Sequence, residues 1–220
     1  AQEVDLEGYR YALEEKAHYH AQAIRVEDQG YRFDLVTPTQ IHKDIYLKAM
    51  GRHNLSNAVG ALAVLDVGGF PLEKALPALG NFKGIQRRME VFSLENKVVI
   101  DDYAHHPEEI KAVLKTILEF YPNKRNMVVF QPHLFSRTQD FMEDFVQVLS
   151  QFDEIVLMDI YPAREQPIAG VTSDALLGLI QHKNKRKISK EAFRSVIVNS
   201  CLLYTSDAAD DMQCVDLGGR

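Results

Sequence analysis

Between residues 97 and 182 the sequence repeats one pattern three times. Apolar runs at 97–100, 126–130 and 154–160 are each followed by a polar loop containing proline, and then by a segment with helical spacing of apolar residues. The predicted helices cover 107–121, the region near 138–150 and the region near 173–182, with Ser173 as the expected N-cap of the last. A βαβαβα order of this kind commits a chain to an α/β fold with a mostly parallel sheet and helices on its faces. It also places all three loops at the carboxyl ends of the strands, the edge where open α/β sheets bind ligands.

The first loop is the densest in titratable groups. It reads Asp101-Asp102-Tyr103-Ala104-His105-His106-Pro107-Glu108-Glu109. Pro107 suits a first helical position, where its missing N–H costs nothing, and Glu108 and Glu109 complement the helix dipole. Ile110, Val113, Leu114, Ile117, Leu118 and Tyr121 then give the helix its apolar stripe. The companion loops are Gln131-Pro132-His133-Leu134-Phe135-Ser136-Arg137 and Tyr161-Pro162-Ala163-Arg164-Glu165-Gln166-Pro167. Structural readings compete at several positions: Asp101 as a turn former, His106 as a cap or a ring packed under the helix, Tyr103 as a core aromatic.

The first half reads differently. Residues 17–26 and 31–36 are predicted as paired strands around a turn at 27–30, with a third strand near 44–48. His18 and His20 share the spacing of a strand face; an exposed face is favoured over a metal pair, because no third ligand is near. Gly51-Arg52-His53-Asn54-Leu55-Ser56-Asn57 opens a helix with Leu55, Ala58, Val59, Leu62 and Leu65 as its apolar positions. Asn54 and Asn57 there are either caps or amides that read a planar base, or mark a helix terminus that meets an anion. Gly68-Gly69 breaks this helix and Pro71 starts another, which Pro77 should kink or shorten. Residues 81–86 read as a linker, with a domain boundary near 84. The Arg87-Arg88 pair beyond it is either a solvated face or a phosphate clamp.

Composition narrows the class. With 25 Lys and Arg against 31 Asp and Glu the net charge is −6, which disfavours a broad nucleic-acid surface. No apolar run approaches the length needed to span a bilayer. The only cysteines are Cys201 and Cys214, so residues 1–200 hold neither a disulfide framework nor a thiolate metal site. The basic run from His182 to Lys187 reads as a solvated connection. Residues 201–220 fit nothing before them and are expected to be a non-native read-through tail. The absence of Met at residue 1 and of a signal peptide suggests a chain starting inside a longer protein.

Taken together, Gly51 to Ala58, Arg87-Arg88, Asp101 to Pro107, Phe130 to His133, Ser136-Arg137-Thr138 and Tyr161-Pro162-Ala163 resemble the Mur ligases, over about residues 9–198. The resemblance implies residues 1–83 as the tail of a P-loop-type central ATP-binding domain and 84–200 as a truncated Rossmann-like C-terminal domain. The UDP-binding domain, the P-loop and the magnesium ligands would lie upstream, and no Gly-x-x-x-x-Gly-Lys-[Ser/Thr] occurs here. It further implies a cytoplasmic, ATP- and Mg2+-dependent amide-forming ligase of peptidoglycan precursor synthesis, with UDP-N-acetylmuramate and L-alanine as substrates. The carboxylate would be activated as an acyl phosphate, which calls for cations and a dry site. The chain by itself is expected to bind without turnover.

Carried across residue by residue, the resemblance implies Asn54 and Asn57 beside adenine, Arg88 and His105 on phosphate as the catalytic pair, and Asp102 on a ribose hydroxyl. Tyr103, His133 and Arg137 would lie near the amino acid, where an Arg suits a carboxylate through a bidentate pair. Many members carry Arg directly after Gln-Pro-His, where Leu134 stands here; a second Arg is then missing or supplied elsewhere, Arg164 being the candidate. Two other functions are weighed. A metal-dependent hydrolase would use Asp101, Asp102, His105, His106 and His133 as ligands, and a non-catalytic nucleotide-binding module would need none of the chemistry.

Overall fold

The computed structural model describes residues 8–13, 17–94 and 97–199. The proposed read-through tail, with both cysteines, lies outside the described residues. The chain divides into two compact units: residues 1–84 with Leu118–Phe120, and Ile85–Ile117 with the described residues from Tyr121 onward.

In the first unit β1 (Tyr11–Ala12), β2 (Tyr19–Glu27), β3 (Gly30–Val36) and β4 (Ile41–Leu47) form one sheet in that order. β1 is parallel to β2, while β2, β3 and β4 pair antiparallel, Glu27 standing opposite Gly30 at the hairpin. Two helices follow, α1 (Arg52–Val67) and α2 (Leu72–Gly80). Alternation on β3 buries Tyr31, Phe33 and Leu35, and these pack with Leu55, Val59 and Leu62 of α1. The buried stripe of α1 continues to Ala63, and Leu65 is exposed. α1 ends in a Schellman arrangement: Gly69 takes φ +76°, its N–H donates to Asp66 O, and the Phe70 N–H donates to Leu65 O. α2 carries Pro77 and stops within a turn of it.

The second unit opens with a hairpin of β5 (Glu90–Leu94) and β6 (Lys97–Asp101), paired antiparallel with Glu90 opposite Asp101. α3 (Pro107–Phe120) follows, then β7 (Met127–Phe130), α4 (Phe135–Asp140), α5 (Met142–Leu149), β8 (Glu154–Leu157), α6 (Ser173–Leu179), β9 (Lys185–Lys187) and α7 (Phe193–Asn199). β7, β8 and β9 form a parallel sheet in that order. β7 is buried along its whole length, as expected of a strand covered on both faces. Val99 of β6 joins Met127, Val129 and Val156 in one apolar cluster.

Several details depart from the sequence reading. The strand ending at Ile100 is hydrogen-bonded to the unanticipated β5 rather than into the parallel ladder. The helix expected near 138–150 is two helices, because Phe141 leaves helical geometry at φ −113° and ψ 24°. Thr172, not Ser173, caps α6 by accepting from the Ala175 N–H; the Ser173 hydroxyl donates instead to Met158 O. The basic run is structural. Lys185 to Lys187 form β9, the Lys185 ammonium donates to Leu177 O and Ile180 O, Arg186 pairs with Glu154, and Lys187 pairs with Asp159 and Asp174.

Candidate active site at the carboxyl edge

The loops after β6, β7 and β8 converge. His133 and Tyr161 form an isolated parallel bridge that carries the β7–β8 pairing beyond the strand ends. Its hydrogen bonds run from Tyr161 N–H to Pro132 O at 2.8 Å and from Leu134 N–H to Tyr161 O at 3.0 Å. The two rings stack at 5.5 Å with an interplanar angle of 16°. His133 lies 6.2 Å from the His105 ring, which lies 5.2 Å from Tyr103, and the Arg88 guanidinium stands 5.9 Å over Tyr103. A row of rings therefore crosses all three loops, with Arg88 at one end. Arg137 flanks it, its guanidinium 3.4 Å from His133 Nδ1.

Local rules explain how each group is held. Asp101 ends β6, buried, with no hydrogen-bond partner for its Oδ1, so the turn-former reading is not what the structure shows. Burial raises its pKa to about 6; the charges of Glu90 and Asp102 push the same way and Arg87 opposes them. Asp102 is also buried, and its oxygens accept from the Met89 N–H at 2.9 Å and the Ala104 N–H at 2.8 Å. Tyr103 is half-buried rather than a core residue.

His105 Nδ1 lies 2.9 Å from Tyr103 O. A carbonyl can only accept, so Nδ1 carries the proton and Nε2 is the atom left for a ligand. His106 takes the opposite role. It is the N-cap of α3, its Nδ1 accepting from Glu108 N–H, and Glu109 completes a capping box by accepting from His106 N–H. The His106 ring packs on Phe141 at 4.4 Å, so this residue both caps and packs. Burial would raise the pKa of Glu109, but the N–H groups of His105 and His106 and the charges of His105 and Arg88 together hold it below the usual range.

The third loop contributes Glu165, whose oxygens accept from the Ser136 hydroxyl at 2.5 Å and the Ser136 N–H at 3.0 Å. These bonds hold its pKa below the usual value, the Ser136 hydroxyl first. Leu134, at the N-cap of α4, takes φ +71° and ψ 132°. Gly51 adopts nearly the same geometry at the N-cap of α1, φ 94° and ψ 129°.

The structure thus gathers Arg88, Asp102, Tyr103, His105, His133 and Arg137. Tyr161 and Glu165 join them; the sequence assigns neither a role, though both lie in the third loop and Tyr161 opens the Tyr161-Pro162-Ala163 motif. Arg164 is exposed. Asn54 and Asn57 belong to the first unit, on α1, where Asn54 donates its amide to Met50 O. Neither caps the helix, since Gly51 is the N-cap and no side chain bonds there. The hydrolase ligand set is not assembled: among the described residues no group of three or more His, Cys, Asp or Glu is placed to hold a metal ion. The donors it would need are engaged with backbone, His105 Nδ1 with Tyr103 O and Asp102 with two N–H groups.

Known proteins carry the same architecture. The UDP-N-acetylmuramate–L-alanine ligase of Flavobacterium johnsoniae is 47% identical over 190 residues, 86% of this chain and 42% of the relative. That of Flavobacterium psychrophilum is 48% identical over 208 residues, 93% of this chain and 46% of the relative. The chain therefore spans less than half the length of these relatives. The crystal structure of the Thermotoga maritima UDP-N-acetylmuramate–alanine ligase superposes with a TM-score of 0.74 at 26% identity, covering 92% of this chain and 45% of that one. Residues 87–208 match the glutamate ligase domain of the Mur ligases and residues 1–65 match their middle domain, so the chain belongs to the Mur ligase family.

Proposed function

We propose that this chain supplies the carboxyl-edge face of an ATP-dependent ligase that joins L-alanine to UDP-N-acetylmuramate in the cytoplasm. One observation carries the reading: the row Arg88, Tyr103, His105, His133 and Tyr161, flanked by Arg137, drawn from three separate loops. Amide formation from a carboxylate needs positive charge around a transferring phosphoryl group and a positioned amine donor. ATP supplies the phosphoryl group that activates the carboxylate. Arg88, exposed at one end of the row, stabilises its charge, and His105 donates or accepts there through Nε2. Asp102 is assigned to a ribose hydroxyl; Asn54 and Asn57, on α1 of the first unit, are assigned to the base.

At the far end Arg137 takes the carboxylate of the amino acid. His133 is held between Arg137 and the Tyr161 ring, with Tyr103 beside it, and together they orient the amine. Mg2+ accompanies the nucleotide, but no described residue is assigned to it. No helix among the described residues is long and apolar enough to cross a membrane.

The test is a hybrid in which this chain replaces the matched segment of the Flavobacterium johnsoniae ligase. Phosphate release should require UDP-N-acetylmuramate, L-alanine and ATP together, and the 220-residue chain alone should release none above background. A folded hybrid that is inert beside its active parent refutes the reading. So does one that releases phosphate equally without alanine, which is hydrolase behaviour.

A further inference from the structure

Arg88 sits in an unusual stretch of backbone. Arg87 and Met89, its two neighbours, both adopt left-handed geometry, at φ +58° and +50°. Side-chain-bearing residues avoid that region, because there the Cβ crowds the backbone. Two such residues bracketing one arginine persist only if something holds them. The antiparallel pairing of β5 with β6 ends with Glu90 opposite Asp101. Beyond it the Met89 N–H turns to the Asp102 carboxylate at 2.9 Å, while the Tyr103 N–H donates to Arg87 O at 2.8 Å. The other Asp102 oxygen takes the Ala104 N–H at 2.8 Å, which fixes the carboxylate from its own side. On the outer side the Arg88 N–H closes a turn onto Ile85 O at 3.1 Å.

We propose that Asp102 is a positioning residue for Arg88: its buried carboxylate, by gripping the Met89 N–H, holds the strained 87–89 segment so that the Arg88 guanidinium stands over Tyr103. This rests on the ligase reading, in which Arg88 meets phosphate, and gives Asp102 a duty independent of any ribose contact. The chemistry is specific to a carboxylate. Asparagine keeps the shape but can accept through only one oxygen, so one of the two N–H groups would face another donor. A charge-assisted bond to a buried carboxylate is also about twice as strong as a neutral one.

Two measurements test it. In the hybrid ligase, Asp102→Asn should lower kcat by about tenfold or more with KM for ATP changed less than about threefold. That loss in kcat should persist with 2′-deoxy-ATP and 3′-deoxy-ATP, and it should shrink to less than about twofold in an Arg88→Ala background, since both changes disable one element. A loss that disappears with either deoxynucleotide leaves Asp102 with the ribose contact alone and overturns the inference. Full multiplication with the Arg88→Ala loss does the same. A harmless Arg88→Ala instead removes the underlying reading, and so distinguishes the two failures.

Hydrogen exchange on this chain supplies the second measurement. The Met89 amide should be protected in the native protein and released in Asp102→Asn, with the amides of β7 still protected. If that variant does not fold, the native protein still decides: a Met89 amide exchanging as fast as that of exposed Gln86 overturns the proposal.

Discussion

Asp101→Asn should stabilise this protein at neutral pH and do almost nothing in acid. Asp101 is buried at the end of β6 with an oxygen that has no hydrogen-bond partner, opposite the carboxylate of Glu90. Burial raises its pKa from 3.8 to about 6. Below about pH 4 the carboxyl is protonated in the folded and unfolded states alike, and the site costs nothing. Between about pH 4 and 6 the folded state binds more protons than the unfolded one, so stability falls as pH rises. Above about pH 6 both states are ionised and the whole penalty applies. A rise of about two pH units at about 1.4 kcal/mol each makes that penalty roughly 3 kcal/mol. Asparagine has the same shape and no charge, so it should recover most of it. The assay is urea unfolding of both proteins by circular dichroism at pH 5, 6, 7 and 8. The gain from the variant should grow along that series and level off near pH 7. A difference independent of pH, or a variant less stable than the parent at pH 8, would refute the reasoning.

Other substitutions probe the loops. His106→Ala removes half of the capping box of α3 and should cost about 1 kcal/mol in the same unfolding assay; no change would mean that neither the cap nor the ring packing on Phe141 fixes the helix start. At Leu134 the usual order of residues should invert: Leu134→Gly should be more stable than Leu134→Ala by about 1 kcal/mol, because only glycine relaxes at this positive φ. Arg88→Ala in the hybrid ligase should cost about 2–4 kcal/mol of transition-state stabilisation, read from kcat/KM. A loss under about threefold would reject its place at the phosphate.

The parts of this molecule that could be read from the sequence are those fixed by local periodicity. The apolar spacing from Ile110 to Ile117 with Pro107 and Glu108 ahead of it leaves little choice but α3, and the stripe from Leu55 to Leu62 does the same for α1. The apolar runs Val98–Ile100 of β6 and Met127–Phe130 of β7 are legible as strands, and the parallel pairing of β7 with β8 follows from the βαβ order, whereas the pairing of β6 with β5 does not. β5 is mostly exposed, so no alternation marks it, and only its register with β6 shows that the strand exists. β9 is the extreme case. Lys185-Arg186-Lys187 has no apolar side chain at all, and it is a strand because helix carbonyls and the acids Glu154, Asp159 and Asp174 receive its cations. In the site, the three loops could be named from their position after strands. Which residues meet could not, because the stacking of Tyr161 on His133 depends on a rung of backbone pairing between residues 28 apart in sequence.

That rung ties the fates of two surface loops. Since Pro132 and Leu134 share hydrogen bonds with Tyr161, and Ser136 shares two with Glu165, neither loop can be exchanged for another shape without unseating its neighbour. Natural variation at positions 132–136 should accordingly be inherited together with variation at 161–165, and selection for a new amino-acid preference would have to search the two segments as a single mutational target.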